Sequence, residues 1–309
     1  MPHSSDQDSK VAFFHIPKTG GMTFGGVLQS MFGDSFAACS DPSIDAVASA
    51  LQKFDCLEFH VHPYKGRLPY MHSELAAKNR WDLLERREIF TMLRDPVEQS
   101  LSLYFQLVES RPLLEQTCYK PFGIPFPESL EEFVEMPWHM NTQSHFLLGH
   151  NNKPTFDFVS EDLARVKDWL VKLKVHVGLT ERYADSLHVL EKVTGRNVDE
   201  YKVERRQVNK NRLRSEQIPE TVKDKIRSQS HRDLELYEFA RERFEEDFRE
   251  YGKGPVYTFT SGVFIGHYDS EEHNTRTVAS SPWRKVHIRV VVLTIQCICY
   301  LRRTFLKSC

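Results

Sequence analysis

The sequence is short of the features that usually sort a chain at once. Its 309 residues carry no excess of charge, since 41 Lys and Arg stand against 43 Asp and Glu for a formal net charge of −2. A nucleic-acid binder shows a basic field, so nucleic acid is excluded as a general partner and any anion site must be local. Cysteine is scarce, with 6 residues at 39, 56, 118, 297, 299 and 309. None forms a CxxC pair, and Cys297-x-Cys299 has no partners at zinc-site spacing. A disulfide framework is therefore excluded and ordinary reduced thiols are expected. Long apolar runs are missing too. The N-terminal decapeptide MPHSSDQDSK is polar and reads as disordered, neither a secretory signal nor an anchor. The one membrane candidate, Val290 to Leu301, has 12 residues, contains Gln296 and is flanked by Arg289, Arg302 and Arg303. About 20 residues are needed to cross a bilayer, so 290–301 is expected to be buried or to lie on a surface. The expected location is cytoplasmic, with membrane association through 290–301 as the alternative.

What is present is an alternation of strands and helices. Strands are expected over 11–16, 56–62, 88–93 and 174–179. Helices are expected over 21–32, 73–86, 96–110, 160–172, 182–193 and 232–251, the last with Leu234, Tyr237, Phe244 and Phe248 facing the core. Such alternation indicates an α/β fold in three layers, a central parallel sheet flanked by helices in the P-loop-like manner. Pro112, Pro121, Pro125 and Pro127 mark an excursion over the sheet. The readable pattern spans 11–253, and 254–309 follows as an extension with no clear period.

The stretch Phe13-Phe14-His15-Ile16-Pro17-Lys18-Thr19-Gly20-Gly21-Met22-Thr23 runs from a strand into a glycine loop and then a helix. That arrangement aims unpaired amides and a helix dipole at an anion. The order is not that of the ATP-binding loop GxxxxGK[ST], because Lys18 precedes both glycines. A tight turn with an incidental lysine is the plainer alternative. A second stretch, Arg94-Asp95-Pro96 through Ser102 and Tyr104, places an arginine where strand becomes helix, at the edge where open α/β sheets bind ligands. Asp95 suits the cap and Pro96 the first turn. Ser102 lies about 12 Å further along an ideal helix. Arg94 and Ser102 together suit a second phosphate; the alternative is an arginine paired with a nearby acid.

His60-Val61-His62 closes the second strand, and residues two apart on a strand share a face. Both imidazoles then suit proton abstraction near neutral pH. The alternatives are a structural pair or a metal pair, although zinc needs at least three protein ligands and no third is evident. Further on, His139, Asn141, Gln143 and His145 either line an acceptor cleft or form a polar surface loop. Tyr201–Arg214 carries six Lys/Arg in fourteen residues, which is a solvated linker on composition alone.

PKTGG at 17–21 and RDPVxxxxSxY at 94–104, in that order, resemble the sulfotransferase family, over roughly residues 11–250. The nearest resemblance is to carbohydrate sulfotransferases of the heparan sulfate 2-O- and uronyl 2-O-type. The resemblance implies 3′-phosphoadenosine-5′-phosphosulfate (PAPS) as donor, no metal, and a hydroxyl acceptor, favouring a saccharide. It implies that Pro17, Lys18, Thr19, Gly20, Gly21 and Thr23 hold the 5′-phosphosulfate and Arg94 and Ser102 the 3′-phosphate. Relatives carry a His-x-His whose second histidine is the base, which assigns catalysis to His62 with His60 assisting. A late basic loop there folds over the nucleotide, implying Arg205, Arg206, Lys210 and Arg212. Thr180-Glu181-Arg182 matches a segment near the adenine. Gln99 stands where the family often has arginine, which implies weaker phosphate affinity. Animal relatives are Golgi proteins with an N-terminal anchor. Two rivals stand beside this reading: a catalytically silent nucleotide- or glycan-binding protein, and an ATP-dependent kinase, which would need a Mg²⁺-holding carboxylate and a GK[ST] loop.

Overall fold

Five parallel strands carry the fold. The computed structural model describes residues 9–39, 43–60, 75–136, 139–148, 160–198, 203–204, 213, 215–251, 256–260 and 263–267. Strands β1 (Val11–His15), β2 (Phe36–Cys39), β3 (Cys56–His60), β4 (Glu88–Leu93) and β5 (His176–Leu179) pair in the order β2-β3-β1-β4-β5. Every pairing is parallel. The central strand β1 is buried along its whole length, as a parallel strand covered on both faces must be. Helices α1 (Gly21–Phe32) and α2 (Ile44–Lys53) precede β3, and α3 (Asp82–Glu85) precedes β4. Then come α4 (Pro96–Glu109), α5 (Arg111–Leu114), α6 (Leu130–Val134), α7 (Thr142–Leu148) and α8 (Ser160–Lys172), followed after β5 by α9 (Tyr183–Thr194), α10 (Glu220–Gln229) and α11 (His231–Tyr251). On α1, Phe24, Val27, Leu28 and Met31 form one apolar stripe against the sheet, and the Phe13 and Phe24 rings pack 4.8 Å apart.

Several elements differ from the sequence expectation. Edge strand β2 is only half-buried, so its FAAC segment shows no alternation. The helix expected over 73–86 is interrupted, because Asn79 takes φ 53°, a left-handed conformation that ends a right-handed helix. On α11 the buried stripe is Asp233, Leu236, Ala240 and Phe244; Tyr237 and Phe248 pack beside it, and Leu234 is only half-buried. The Pro-rich excursion contains short helical turns, and its aromatic residues join a second core in which Leu101, Leu107, Phe133 and Ile226 tie α4, α6 and α10 together. Beyond 254, β7 (Val256–Thr260) and β8 (Val263–His267) pair antiparallel, and β6 (Val203–Glu204) joins the far edge of β8. Among the described residues no helix is long and apolar enough to cross a membrane; Val290–Leu301 lies outside them.

At the amino-terminal edge of the sheet, buried Arg87 binds five main-chain carbonyls. Nε donates to Leu83 O at 3.2 Å, Nη1 to Val11 O at 3.2 Å and Asp55 O at 2.8 Å, and Nη2 to Phe54 O at 2.7 Å and to Leu51 O. A guanidinium has five N–H groups, and each finds an acceptor here. Burial lowers its pKa, opposed by Cys56 and Asp55.

At the same edge His176 lies 3.0 Å from Asp247 and 3.2 Å from Glu88, clasping β5 to α11 and β4. Burial works against the imidazolium, but hydrogen bonds to Asp247 and Glu88 outweigh it and raise the pKa from 6.5 to about 9. A folded pKa above the unfolded one gives stability that is complete below about pH 6.5 and lost as pH rises through about 9. With Glu88 partly exposed to screening, the clasp is worth about 2 kcal/mol. His176→Gln is therefore expected to lower Tm by several degrees at pH 6 and to match the parent protein at pH 10, read by thermal denaturation at both.

Candidate functional site

The strand order places β3 on one side of β1 and β4 on the other. The order of strand addition thus reverses between β1 and β4, and the crevice outside their carboxyl ends is where open α/β sheets bind ligands. The loop 16–20 leaves β1 on one wall, and Arg94 leaves β4 on the other.

The loop is held by its own polar atoms. Thr19 is fully buried and its hydroxyl donates to Ile16 O at 2.9 Å. That bond ties the hydroxyl back to the end of β1 and fixes the turn of the loop. Lys18 is a non-glycine residue at φ 67°, and Gly20 at φ 79° caps α1 from the left-handed region. A lysine in that region costs energy, and such outliers gather at ligand clamps. No side chain caps α1 and no acid sits in its first turn, so the helix end keeps its positive field for an anion.

The far wall is joined directly to this loop. Arg94 Nη1 donates to Lys18 O at 3.3 Å. The same guanidinium donates through Nη2 to Glu98 Oε2 at 3.3 Å and lies 3.9 Å from Glu181 Oε1, so a phosphate there competes with two carboxylates. Asp95 caps α4, its Oδ1 accepting from Val97 N at 2.9 Å and Glu98 N at 3.0 Å, with Pro96 in the first turn as read from sequence. Ser102 is half-buried on α4, two turns further. The Thr180 hydroxyl lies 2.7 Å from Thr19 O and 3.0 Å from Leu93 O, bracing the ends of β1 and β4 from the end of β5. Glu181 accepts from Asp95 N at 3.1 Å and from the Tyr237 hydroxyl at 2.9 Å. The Tyr237 pKa is raised by burial and by Glu181.

Gln99 does not face the crevice. It is buried, its Nε2 donates to Pro17 O at 3.1 Å and its Oε1 accepts from Thr142 at 2.9 Å. In place of a cation at this position, a neutral amide ties the loop to α7.

The segment at 139–145 is not the polar surface loop that its composition allowed. His139, Asn141, Gln143 and His145 are all buried. Gln143 pairs with the Arg94 main chain through both amide atoms, at 2.9 and 2.8 Å. Asn141, at φ 54°, caps α11 by accepting from Arg232 N and Asp233 N at 3.0 and 3.2 Å. Asp233 caps α7 in return, accepting from Gln143 N and from Ser144 N and hydroxyl. Burial raises the Asp233 pKa to about 6 against those donors. His139 stacks on Phe133 at 4.4 Å, and burial lowers its pKa to about 3, so it is neutral. Gln143 thus holds the Arg94 main chain, while Asn141 and Asp233 lock α7 to α11. A run of side chains matching main-chain caps was the available signal, but their partners lie about ninety residues away in sequence.

His60 closes β3 as the register partner of His15. Its side chain, and the whole of His62, Arg205, Arg206, Lys210 and Arg212, lie outside the described residues. Sequence reading missed one buried polar pair under the loop, His15 with Glu58, at 2.6 Å.

Residues 4–252 match the family model described as "Sulfotransferase family". Among solved structures, the crystal structure of mouse sulfotransferase SULT7A1 complexed with PAP is similar at TM-score 0.38 and 10% identity, covering 72% of this chain. The chain spans 65% of the length of that structure. No curated protein matches the chain in sequence.

Proposed function

Since the chain belongs to the sulfotransferase family, we propose that it transfers a sulfuryl group from PAPS to the hydroxyl of a carbohydrate, in the manner of the 2-O-acting enzymes. The observation that carries this reading is the bond from Arg94 to Lys18 O across the switch-point crevice. It brings the Arg94 guanidinium against the Lys18 main chain, which supports two neighbouring phosphate sites for a nucleotide with phosphates at both ends of its ribose. The amides at the start of α1 and the Lys18 ammonium take the 5′-phosphosulfate; Arg94 and Ser102 take the 3′-phosphate. Arg205, Lys210 and Arg212 cover the nucleotide from the late basic segment.

In the transfer step the acceptor oxygen forms a bond to sulfur as the bond from sulfur to the bridging phosphate oxygen breaks. The acceptor proton passes to the His62 imidazole, with His60 beside it, and 3′,5′-ADP (PAP) departs. Negative charge grows on the bridging oxygen, and Lys18 with the loop amides stabilises it. No sugar-binding side chain is assigned, so the acceptor class rests on the likeness of the two motifs and of His60-Val61-His62 to the 2-O-type enzymes.

The test of the base is a separation of binding from chemistry. His62→Ala is expected to abolish turnover of PAPS on a saccharide panel while PAP affinity stays within about twofold, because general-base loss costs about 10²–10⁴ in rate without touching the phosphate sites. Full activity in His62→Ala removes the assignment.

A further inference from the structure

Beneath the loop lies a buried pair that the transfer step does not use. His15 ends β1 and Glu58 lies on β3, and they are 3% and 8% exposed. Nδ1 of His15 and Oε1 of Glu58 stand 2.6 Å apart. A buried pair of this kind is costly to desolvate and is weak evidence for stability, so its presence here asks for another account.

The helix above makes room for it. Gly21 and Gly25, four residues apart on one face of α1, lie over the pair. A Cβ on Gly21 would overlap the His15 ring, and one on Gly25 would stand 2.5 Å from Glu58 Oε2. Neither glycine has a positive φ, so no backbone conformation demands glycine at either place. Only the side chains underneath do.

The connections of His15 lead into the loop at both ends. Ile16, Pro17 and Lys18 follow it directly, and Ile16 O holds the Thr19 hydroxyl. The ring edge lies under Gly21, the first residue of α1. Loop entry and loop exit therefore meet at the His15 imidazole, which the Glu58 carboxylate holds at Nδ1.

We propose that His15 and Glu58 form the positioning pair of the 5′-phosphate corner, setting the height of the first turn of α1 over the sheet and so the aim of Lys18 and the loop amides. The proposal rests on the PAPS reading of that corner. The 3′ corner has a support besides its bond to Lys18 O, since the Arg94 main chain is clamped by Gln143, so it should respond the less of the two.

The experiment titrates PAP, 5′-AMP and 3′-AMP calorimetrically into the full chain and into Gly25→Ala, Glu58→Ala and Glu58→Gln. Gly25→Ala removes no polar group and places a methyl against the Glu58 carboxylate, in a helix where alanine is otherwise favoured. It and Glu58→Ala are expected to weaken PAP and 5′-AMP about tenfold while 3′-AMP stays within about twofold, since a small misplacement in a binding corner is felt strongly. Glu58→Gln keeps an acceptor for the Nδ1–H and is expected to retain parental affinity within about twofold. Equal weakening of both mononucleotides, or parental affinity for 5′-AMP in Gly25→Ala, overturns the proposal. If the parental chain itself fails to bind PAP, the donor reading fails instead.

Discussion

Replacing Lys18 with alanine is expected to lower turnover of PAPS by about 10²–10³-fold, the loss of roughly 3–4 kcal/mol that follows removal of one preorganised charge-stabilising donor. PAP, which lacks the transferred sulfuryl group, should lose less affinity than the rate loses, because the donor acts most where charge develops. The local backbone sharpens the test. Lys18 sits at φ 67°, so Lys18→Gly relieves a strained conformation that Lys18→Ala keeps. The glycine variant is therefore expected to be the more stable of the two and just as inactive. Steady-state kinetics with thermal denaturation read both quantities. An active Lys18→Gly would mean that the loop needs only its shape and that the ammonium has no part in the chemistry.

The largest effect on stability is expected far from that crevice. Arg87→Met leaves five main-chain carbonyls, of Leu83, Val11, Asp55, Leu51 and Phe54, without their guanidinium donor. A buried acceptor stripped of its partner costs about 1–3 kcal/mol. Partial relaxation and water entry keep the losses from adding fully, so about 3–5 kcal/mol is expected. Arg87→Lys should fall between, since three ammonium donors cannot serve five acceptors in one plane. Urea denaturation at unchanged m-value is the measurement, and a loss under about 1 kcal/mol for Arg87→Met would contradict this account.

How far the sequence speaks for the structure depends on whether a residue's partner is local. The strand–loop–helix at 11–32 and the Asp95-Pro96 start of α4 were legible because caps, glycines and burial period act within a few residues. A parallel sheet of four strands followed from the alternation, but its edge strand β2 did not, since a half-exposed FAAC carries no period. The placing of Lys18 beside Arg94 was legible only as two motifs ending neighbouring strands; the bond itself spans 76 residues. Of the two expectations for His139, Asn141, Gln143 and His145, the surface loop fails: a run of polar side chains suggests surface, but these are buried. Here they substitute for strand and cap partners inside the core. His15 and Glu58 were overlooked for a related reason: each is unremarkable in its own strand, and only the pairing of β1 with β3 brings them together. The basic segment after 200 shows the opposite case, since its composition is plain while its role depends on what it folds against.

The decisive measurement is a crystal structure with PAP. The account predicts the 5′-phosphate on the amides that open α1, beside Lys18, and the 3′-phosphate on Arg94 and Ser102, with Glu98 turned aside. Nucleotide bound elsewhere, or a 3′-phosphate that leaves Arg94 paired to Glu98 and Glu181, would contradict it.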